Sequence, residues 1–211
     1  MRRLPVYLVL DTSGSMSGEP IQAVKNGVQM LVSALRQDPQ ALETAFLSVI
    51  TFDSSAHELV PLTDLPSFQV PNITASGVTA MGEALSLVAD CAKRDVIKAS
   101  STQKADWRPM VFLMSDGVPT DDFEKGLARF QQEKWGAVVG CAVNDADVNI
   151  LKRISPESVV QLDTSDSASM SAFFKWVTAS IGLSSKSVQS GKEVEGLDQL
   201  PPPPPEISVV V

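Results

Sequence analysis

The chain is poor in the residues that most metal centres and disulfide scaffolds require. Of its 211 residues, two are cysteine and one is histidine. Neither a disulfide scaffold nor a zinc site with Cys and His ligands is therefore expected. Cys91 lies in a helical pattern and Cys141 ends an apolar run, which predicts two buried and unreactive thiols.

Basic clusters and long apolar segments are also missing. The formal net charge of −8, without a run of Lys or Arg, argues against nucleic-acid binding, which requires clustered positive charge. No segment reaches the roughly 20 apolar residues that span a bilayer. The basic start at Met1–Pro5 resembles that of a signal peptide, but the apolar run stops at Asp11 without a cleavage site. We therefore expect a cytoplasmic protein.

What the chain does contain is a regular alternation of strand and helix patterns. Apolar runs predict buried strands, an alternating stretch predicts an antiparallel edge strand, and apolar residues spaced three and four apart predict helices between them. The alternation favours an α/β fold with a doubly wound, mostly parallel, six-stranded sheet in the order 3-2-1-4-5-6 and helices on both faces. The predicted strands are 4–11, 45–52, 57–62, 110–115, 137–143 and 159–162, and the later helices are 122–134, 148–154 and one that carries Phe173, Phe174, Val177 and Ile181.

Two of the predicted buried strands lead directly into an aspartate. Asp11 ends the first strand and Asp116 follows the fourth. In the predicted order these strands are neighbours, so both carboxylates lie at the rim where open α/β sheets bind ligands. Ser13 and Ser15 follow the first aspartate, and Thr79 lies in a loop of small residues. All five side chains offer oxygen, which suits a hard cation such as Mg²⁺ or Mn²⁺.

The order Asp11-x-Ser13-x-Ser15, then Thr79, then Asp116 followed by Gly resembles the metal-ion-dependent adhesion site of the von Willebrand factor A family. The resemblance extends from about residue 4 to 182 and implies a Rossmann-like fold. It implies that the three hydroxyls touch the metal directly and that the two aspartates act through bound water. It also implies that a protein partner supplies a Glu or Asp to the open coordination position.

Two segments resemble one group within that family more closely. Residues 11–21 and 76–85 are similar to the small bacterial tellurium-resistance proteins of the TerY group. Those proteins are typically encoded near a protein kinase and a protein phosphatase. The resemblance thus implies a role in tellurite-resistance or stress signalling, with a kinase or phosphatase as the partner. The loops 15–19, 78–81 and 118–121 would surround the contact.

Each site residue also has a simpler interpretation, and one enzyme class remains an alternative. An Asp, Ser or Thr after a strand is often only the N-cap of the next helix. A magnesium-dependent phosphotransferase of haloacid-dehalogenase type also uses an Asp at the end of the first strand. Its general acid would be a second Asp two positions later, where this chain has Ser13. No serine-hydrolase elbow or P-loop is present. We therefore predict a binding module rather than an enzyme.

The composition changes near residue 184. We predict a domain over residues 1–183 and a polar, proline-rich C-terminal tail over 184–211. Pro201–Pro205 is typical of a polyproline II segment, and the β-branched end 207–211 favours an extended strand. The tail is either disordered or suited to lie along a sheet edge, its own or a partner's.

Overall fold

A computed structural model describes residues 2–144, 146–193, 196 and 199–210. Met1 and Val211, the first residue of the predicted domain and the last of the β-branched end, lie outside the described residues. Within them the chain forms seven strands, six α-helices and a short 3-10 turn at Gly14–Met16. The order is β1 Leu4–Asp11, α1 Glu19–Leu35, α2 Pro39–Thr44, β2 Ala45–Phe52, β3 Ala56–Asp64, α3 Met81–Asp95, β4 Met110–Ser115, α4 Phe123–Phe130, β5 Ala137–Val143, α5 Val148–Ile154, β6 Val159–Leu162, α6 Ser167–Gln189 and β7 Ser208–Val210.

The strands form one sheet in the order β3-β2-β1-β4-β5-β6-β7. Strands β2, β1, β4, β5 and β6 are parallel, and β3 pairs antiparallel with β2. The predicted doubly wound sheet with an antiparallel edge strand is confirmed. The strand count differs, because residues 208–210 of the predicted tail add a seventh strand antiparallel to β6.

The two faces of the sheet are covered by different helices. On β1, Val6 and Leu8 pack in the same apolar cluster as α1 and α6, while Tyr7 and Val9 pack with α3, α4 and α5. Because every residue of β1 is buried, residues 4–10 form a continuous apolar run rather than an alternating pattern, and Asp11 is buried at its end. None of the described helices combines the length and apolar character needed to cross a membrane.

Two helices differ from the sequence expectation for identifiable reasons. Helix α4 ends at Phe130 rather than near Lys134, because Trp135 folds back on it. The Trp135 ring stacks on that of Phe130 at 4.6 Å, and its Nε1 donates to the Phe130 carbonyl at 3.0 Å. Helix α2 was not predicted. It is capped by Asp38, whose carboxylate accepts the N–H groups of Gln40 and Ala41.

The last helix continues beyond the predicted domain boundary. α6 runs to Gln189, because Ser184, Ser185 and Val188 are buried on its inner side and continue its packing. Further on, Leu200 and Ile207 join the same apolar cluster. The described part of the predicted tail therefore packs on the domain and along its own sheet edge.

Candidate functional site

The carboxyl ends of β1 and β4 bring the two predicted aspartates together. These strands are direct neighbours, with Leu10 opposite Met114, so the residues that follow meet at one rim of the sheet. Asp11 is completely buried, whereas Asp116 is partly exposed. We call Asp11, Ser13, Ser15, Thr79 and Asp116 the rim cluster.

Three of its members form a continuous chain of oxygen atoms. Ser13 Oγ and Ser15 Oγ are 3.0 Å apart, and Ser15 Oγ donates to Asp116 Oδ1 at 2.8 Å. Adjacent ligands of a six-coordinate Mg²⁺ with bonds of 2.0–2.1 Å are also separated by about 3 Å. The Ser13 and Ser15 hydroxyls are thus spaced like two adjacent ligands of one ion, and Asp116 lies one hydrogen bond beyond Ser15.

Thr79, in the loop before α3, lies beside the residue that follows Asp116. A Cβ atom built on Gly117 would lie 3.0 Å from Thr79 Oγ1, so this hydroxyl faces the residue next to Asp116. The backbone of Thr79 is fixed on both sides. Its N–H donates to Thr120 Oγ1 at 3.1 Å, and its carbonyl accepts the Thr120 N–H at 2.9 Å.

The cap of α3 is supplied by another residue. The N-cap position is Ala80, and the N–H groups of Gly82 and Glu83 donate to the two carboxylate oxygens of Asp121 at 2.9 and 2.7 Å. The Thr79 hydroxyl is thus not needed as a helix cap. Asp122 in turn accepts the N–H of Lys125 and caps α4. Asp121 and Asp122, the two acidic residues between Asp116 and α4, are therefore both engaged at helix N-termini.

The buried Asp11 is held by two serines. Its Oδ1 accepts the N–H of Ser13 at 2.8 Å, and its Oδ2 accepts the hydroxyl of Ser115 at 2.5 Å. Burial raises the pKa of Asp11 above its ordinary value, the serine hydrogen bonds lower it, and the charge of Asp116 raises it. A cation beside the two carboxylates would relieve both the desolvation and the repulsion.

The donor set is purely oxygen, and it has no cationic partner within the described chain. The ion pairs of the described residues lie elsewhere, and none includes Asp11 or Asp116. Among the residues that the structure describes, no group of three or more His, Cys, Asp or Glu side chains is arranged to hold a metal ion. Hydroxyls outnumber carboxylates in the rim cluster, which fits a hard divalent cation better than zinc.

Backbone hydrogen bonds join the loops that carry the cluster. The N–H of Gly14 donates to the Gly77 carbonyl at 3.0 Å, and the N–H of Ser76 donates to the Thr12 carbonyl at 2.9 Å. Gly77 has a φ of +70°, and a Cβ there would collide with Ser54 Oγ. Glycine is therefore required at this junction.

Two exposed apolar side chains lie beside the cluster. Val78 and Val118, next to Thr79 and Gly117, are 52% and 58% exposed, the highest values among the large exposed apolar side chains of the described residues. His57 lies apart on the edge strand β3, where its Nε2 and Ser55 Oγ are 2.8 Å apart. Trp107 and Trp176 are buried and pack in the main apolar cluster.

Two residues important for the site were missed from the sequence. Ser115 holds Asp11 and also accepts the N–H of Gly117 at 3.2 Å, and its only signal was a hydroxyl at the end of an apolar strand. Asp121 positions the start of α3 from a distant loop. No local pattern in the sequence connects Asp121 with that helix.

Comparisons with known proteins agree with this architecture. The model of the family described as von Willebrand factor type A domain matches residues 6–176, well over half of the chain. An uncharacterized protein of Synechocystis sp., sll0103, is 32% identical over 123 residues, which is 55% of this chain and 26% of the relative. The chain thus spans about a quarter of that protein.

Solved structures share the fold at low sequence identity. The von Willebrand factor type A protein from Catenulispora acidiphila has a TM-score of 0.65 and 17% identity, over 86% of this chain and 43% of its own. The ArnB paralog VWA2 from Sulfolobus acidocaldarius has a TM-score of 0.62 and 17% identity, over 85% and 45%. The pilus adhesin SpaC from Lactobacillus rhamnosus GG has a TM-score of 0.68 and 15% identity, over 87% and 31%. This chain corresponds to less than half of each.

Proposed function

The chain belongs to the von Willebrand factor type A domain family, whose members commonly mediate protein–protein interactions, and we propose that it is a metal-dependent protein-binding module. The observation that carries this proposal is the rim cluster. The side-chain oxygens of Ser13, Ser15 and Asp116 form one chain, the Thr79 hydroxyl faces Gly117, and no cationic partner occurs among the described residues.

In this proposal the cation is Mg²⁺ or Mn²⁺. Ser13, Ser15 and Thr79 contact it directly, and Asp11 and Asp116 act through water, as the family resemblance implies. The buried position of Asp11 and its hydrogen bonds with Ser13 and Ser115 support a positioning role for this carboxylate. The ion supplies positive charge and an open coordination position for a ligand from outside.

That ligand is proposed to be a Glu or Asp side chain of a protein partner. A carboxylate oxygen is a favourable ligand for a hard divalent cation. The loops 15–19, 78–81 and 118–121 lie around the rim cluster, and exposed Val78 and Val118 offer apolar contact area beside the ion. Apolar anchors next to a polar contact are typical of protein interfaces.

Two segments of the chain also support a type of partner and a pathway. The likeness of residues 11–21 and 76–85 to the TerY group supports a protein kinase or phosphatase as the partner. The setting would be the bacterial cytoplasm, in tellurite-resistance or stress signalling. This part depends on the resemblance, whereas metal binding and partner capture depend on the chemistry of the rim cluster.

Metal binding is tested by thermal unfolding and calorimetry with Mg²⁺, Mn²⁺ or excess chelator. An ion that binds only the folded state at a hundred times its Kd adds about 2.7 kcal/mol to the free energy of unfolding. We expect a higher Tm with the metal, a binding heat, and loss of both in Asp116→Ala. An unchanged Tm together with no binding heat would refute the site.

Partner capture is tested by affinity purification from cell extract with Mg²⁺ or chelator. We expect a kinase or phosphatase among the bound proteins, and its loss with chelator or in the variant Ser13→Ala/Thr79→Ala. Val118→Asp should also weaken capture, whereas Leu183→Asp, on an exposed helix position, serves as the matched control. Capture that is equal in excess chelator would place the interface elsewhere.

A further inference from the structure

The C-terminal segment crosses the domain at the edge opposite β3. We call residues 199–210 the strap. At its end, β7 pairs antiparallel with β6, placing Ser208, Val209 and Val210 opposite Gln161, Val160 and Val159. At its start, the Pro201 carbonyl accepts the indole N–H of Trp176 at 2.7 Å. The strap thus contacts both the sheet edge and α6.

The outer side of α6 has the shape that a proline-rich segment requires. Small side chains at Ala168, Ala172 and Ala179 line a groove together with Trp176, and Pro201, Pro202 and Pro204 lie along it. Residues spaced by about four share one side of a helix, so the small side chains form a stripe. Grooves lined by aromatic side chains are a recurring way of binding polyproline II segments.

Apolar side chains fix the strap at both ends of the proline run. Leu200 is 7% exposed and Ile207 is 5% exposed, and both belong to the main apolar cluster. The N–H of Ile207 donates to the Pro204 carbonyl at 2.9 Å, which turns the chain from α6 toward β6. Val209, by contrast, is 44% exposed.

We propose that the β6 edge and the outer side of α6 form a peptide-binding site that the chain fills with its own strap. The ligand it recognises is an extended proline-rich peptide with an apolar residue on each side of the prolines. Pairing with β6 supplies main-chain hydrogen bonds, and the Trp176 indole N–H donates to the Pro201 carbonyl. Burial of Leu200 and Ile207 supplies affinity. The site is separate from the rim cluster and needs no metal. A segment of the same chemistry from another protein can occupy it when the strap leaves.

The test uses the 211-residue chain and a fluorescein-labelled synthetic peptide of residues 199–211. In the variant Leu200→Asp/Ile207→Asp the strap loses both buried anchors, so the site is vacated and the labelled wild-type peptide binds with saturable fluorescence anisotropy. The wild-type chain shows no such binding, because its own strap competes at an effective concentration of about 1 mM. Leu183→Asp/Pro205→Asp, which adds the same charge at exposed positions outside β7 and outside the groove lining, behaves as wild type.

Three further results decide the proposal. A peptide carrying Ile207→Asp should bind the vacated chain at least about tenfold more weakly, whereas one carrying Pro205→Asp, at an exposed position, should bind within about threefold. Equal binding to the wild-type and vacated chains, or none up to about 1 mM peptide, would overturn the proposal. If circular dichroism shows that Leu200→Asp/Ile207→Asp is unfolded, a second variant is used instead, in which a protease site inserted after Lys192 allows the strap to be cut from the domain. The labelled peptide must then exchange into the cut chain but not into the uncut one.

Discussion

At the scale of single residues, the two aspartates of the rim cluster occupy different environments. Asp11 is buried and held by two serines, whereas Asp116 is partly exposed and accepts one hydroxyl. Their like charges repel, which contributes to the raised pKa of Asp11. Without a cation, the arrangement therefore opposes folding slightly. With a cation, the same charges favour binding.

The repulsion between Asp11 and Asp116 and their joint attraction for a cation predict two effects of replacing Asp116. Asp116→Ala removes repulsion of roughly 0.5 kcal/mol, so the Tm in chelator should rise by about 1–2 °C. The same variant should lose the Tm increase that Mg²⁺ gives to the wild type. Differential scanning calorimetry in chelator and in Mg²⁺ measures both effects.

The matched control is Asp163→Ala, which removes an exposed carboxylate after β6 at the same rim. It should retain the magnesium-dependent increase in Tm. A Tm in chelator that falls in Asp116→Ala would show that Asp116 stabilises the metal-free fold by its hydrogen bond with Ser15. The repulsion argument would then be wrong.

The members of the rim cluster could be selected from the sequence because each lies at a recognisable local position. Asp11 and Asp116 end apolar runs, and Thr79 stands between glycines before a helix pattern. Ser115 and Asp121 could not be assigned in this way. Their roles depend on contacts with Asp11 and with the start of α3, which are distant in the chain.

At the scale of elements, the position of Thr79 depends on how α3 and α4 pack. The two helices touch through glycines, since a Cβ on Gly126 would lie 2.0 Å from the Gly82 carbonyl oxygen. α3 begins just after Thr79. Its N-terminus is capped by Asp121, which lies just before α4. This close approach therefore connects helix packing to the geometry of the rim.

Gly126→Ala should destabilise the domain although alanine is the better helix former. The intrinsic gain of roughly 1 kcal/mol is exceeded by a clash with backbone that cannot rotate away, so we expect a net loss of about 1–3 kcal/mol. Metal affinity should fall as well, because α3 and Thr79 are displaced. Lys125→Ala, an exposed neighbour on α4, should change neither quantity appreciably. Chemical denaturation and calorimetry provide the measurements, and unchanged stability would show that the helices separate freely.

Strand boundaries could be predicted more closely than helix ends, for a physical reason. The predicted strands 4–11, 110–115 and 137–143 coincide with β1, β4 and β5, because apolar runs end where the chain leaves the core. The ends of α4 and α6 are decided by tertiary contacts. α4 ends where Trp135 folds back on Phe130, and α6 continues to Gln189 because Ser184 and Ser185 are buried.

At the scale of the whole molecule, the sheet has a stable centre and two different edges. β1 lies between β2 and β4 with all of its residues buried. β3 is a long edge strand, whereas β7 has three residues and pairs only with β6 among the described strands. The order 3-2-1-4-5-6 could be derived from alternation of strand and helix, but β7 could not. The β-branched end 207–211 favours a strand along a sheet edge, but a polar and proline-rich segment separates it from α6, and no local pattern in it specifies pairing with β6.

This arrangement predicts a gradient of local stability across the sheet. The hydrogen bonds that protect the amides of β1 and β4 should break only on global unfolding. Those of β7 should break when its three residue pairs with β6 separate and the strap detaches. Hydrogen exchange of β7 should therefore be at least about 100-fold faster than that of β4 under native conditions. Mass spectrometry of the 211-residue chain resolves the two strands. Exchange of β7 as slow as that of β4 would mean that the strap opens only with the domain, so that its site would not be vacated in the native state.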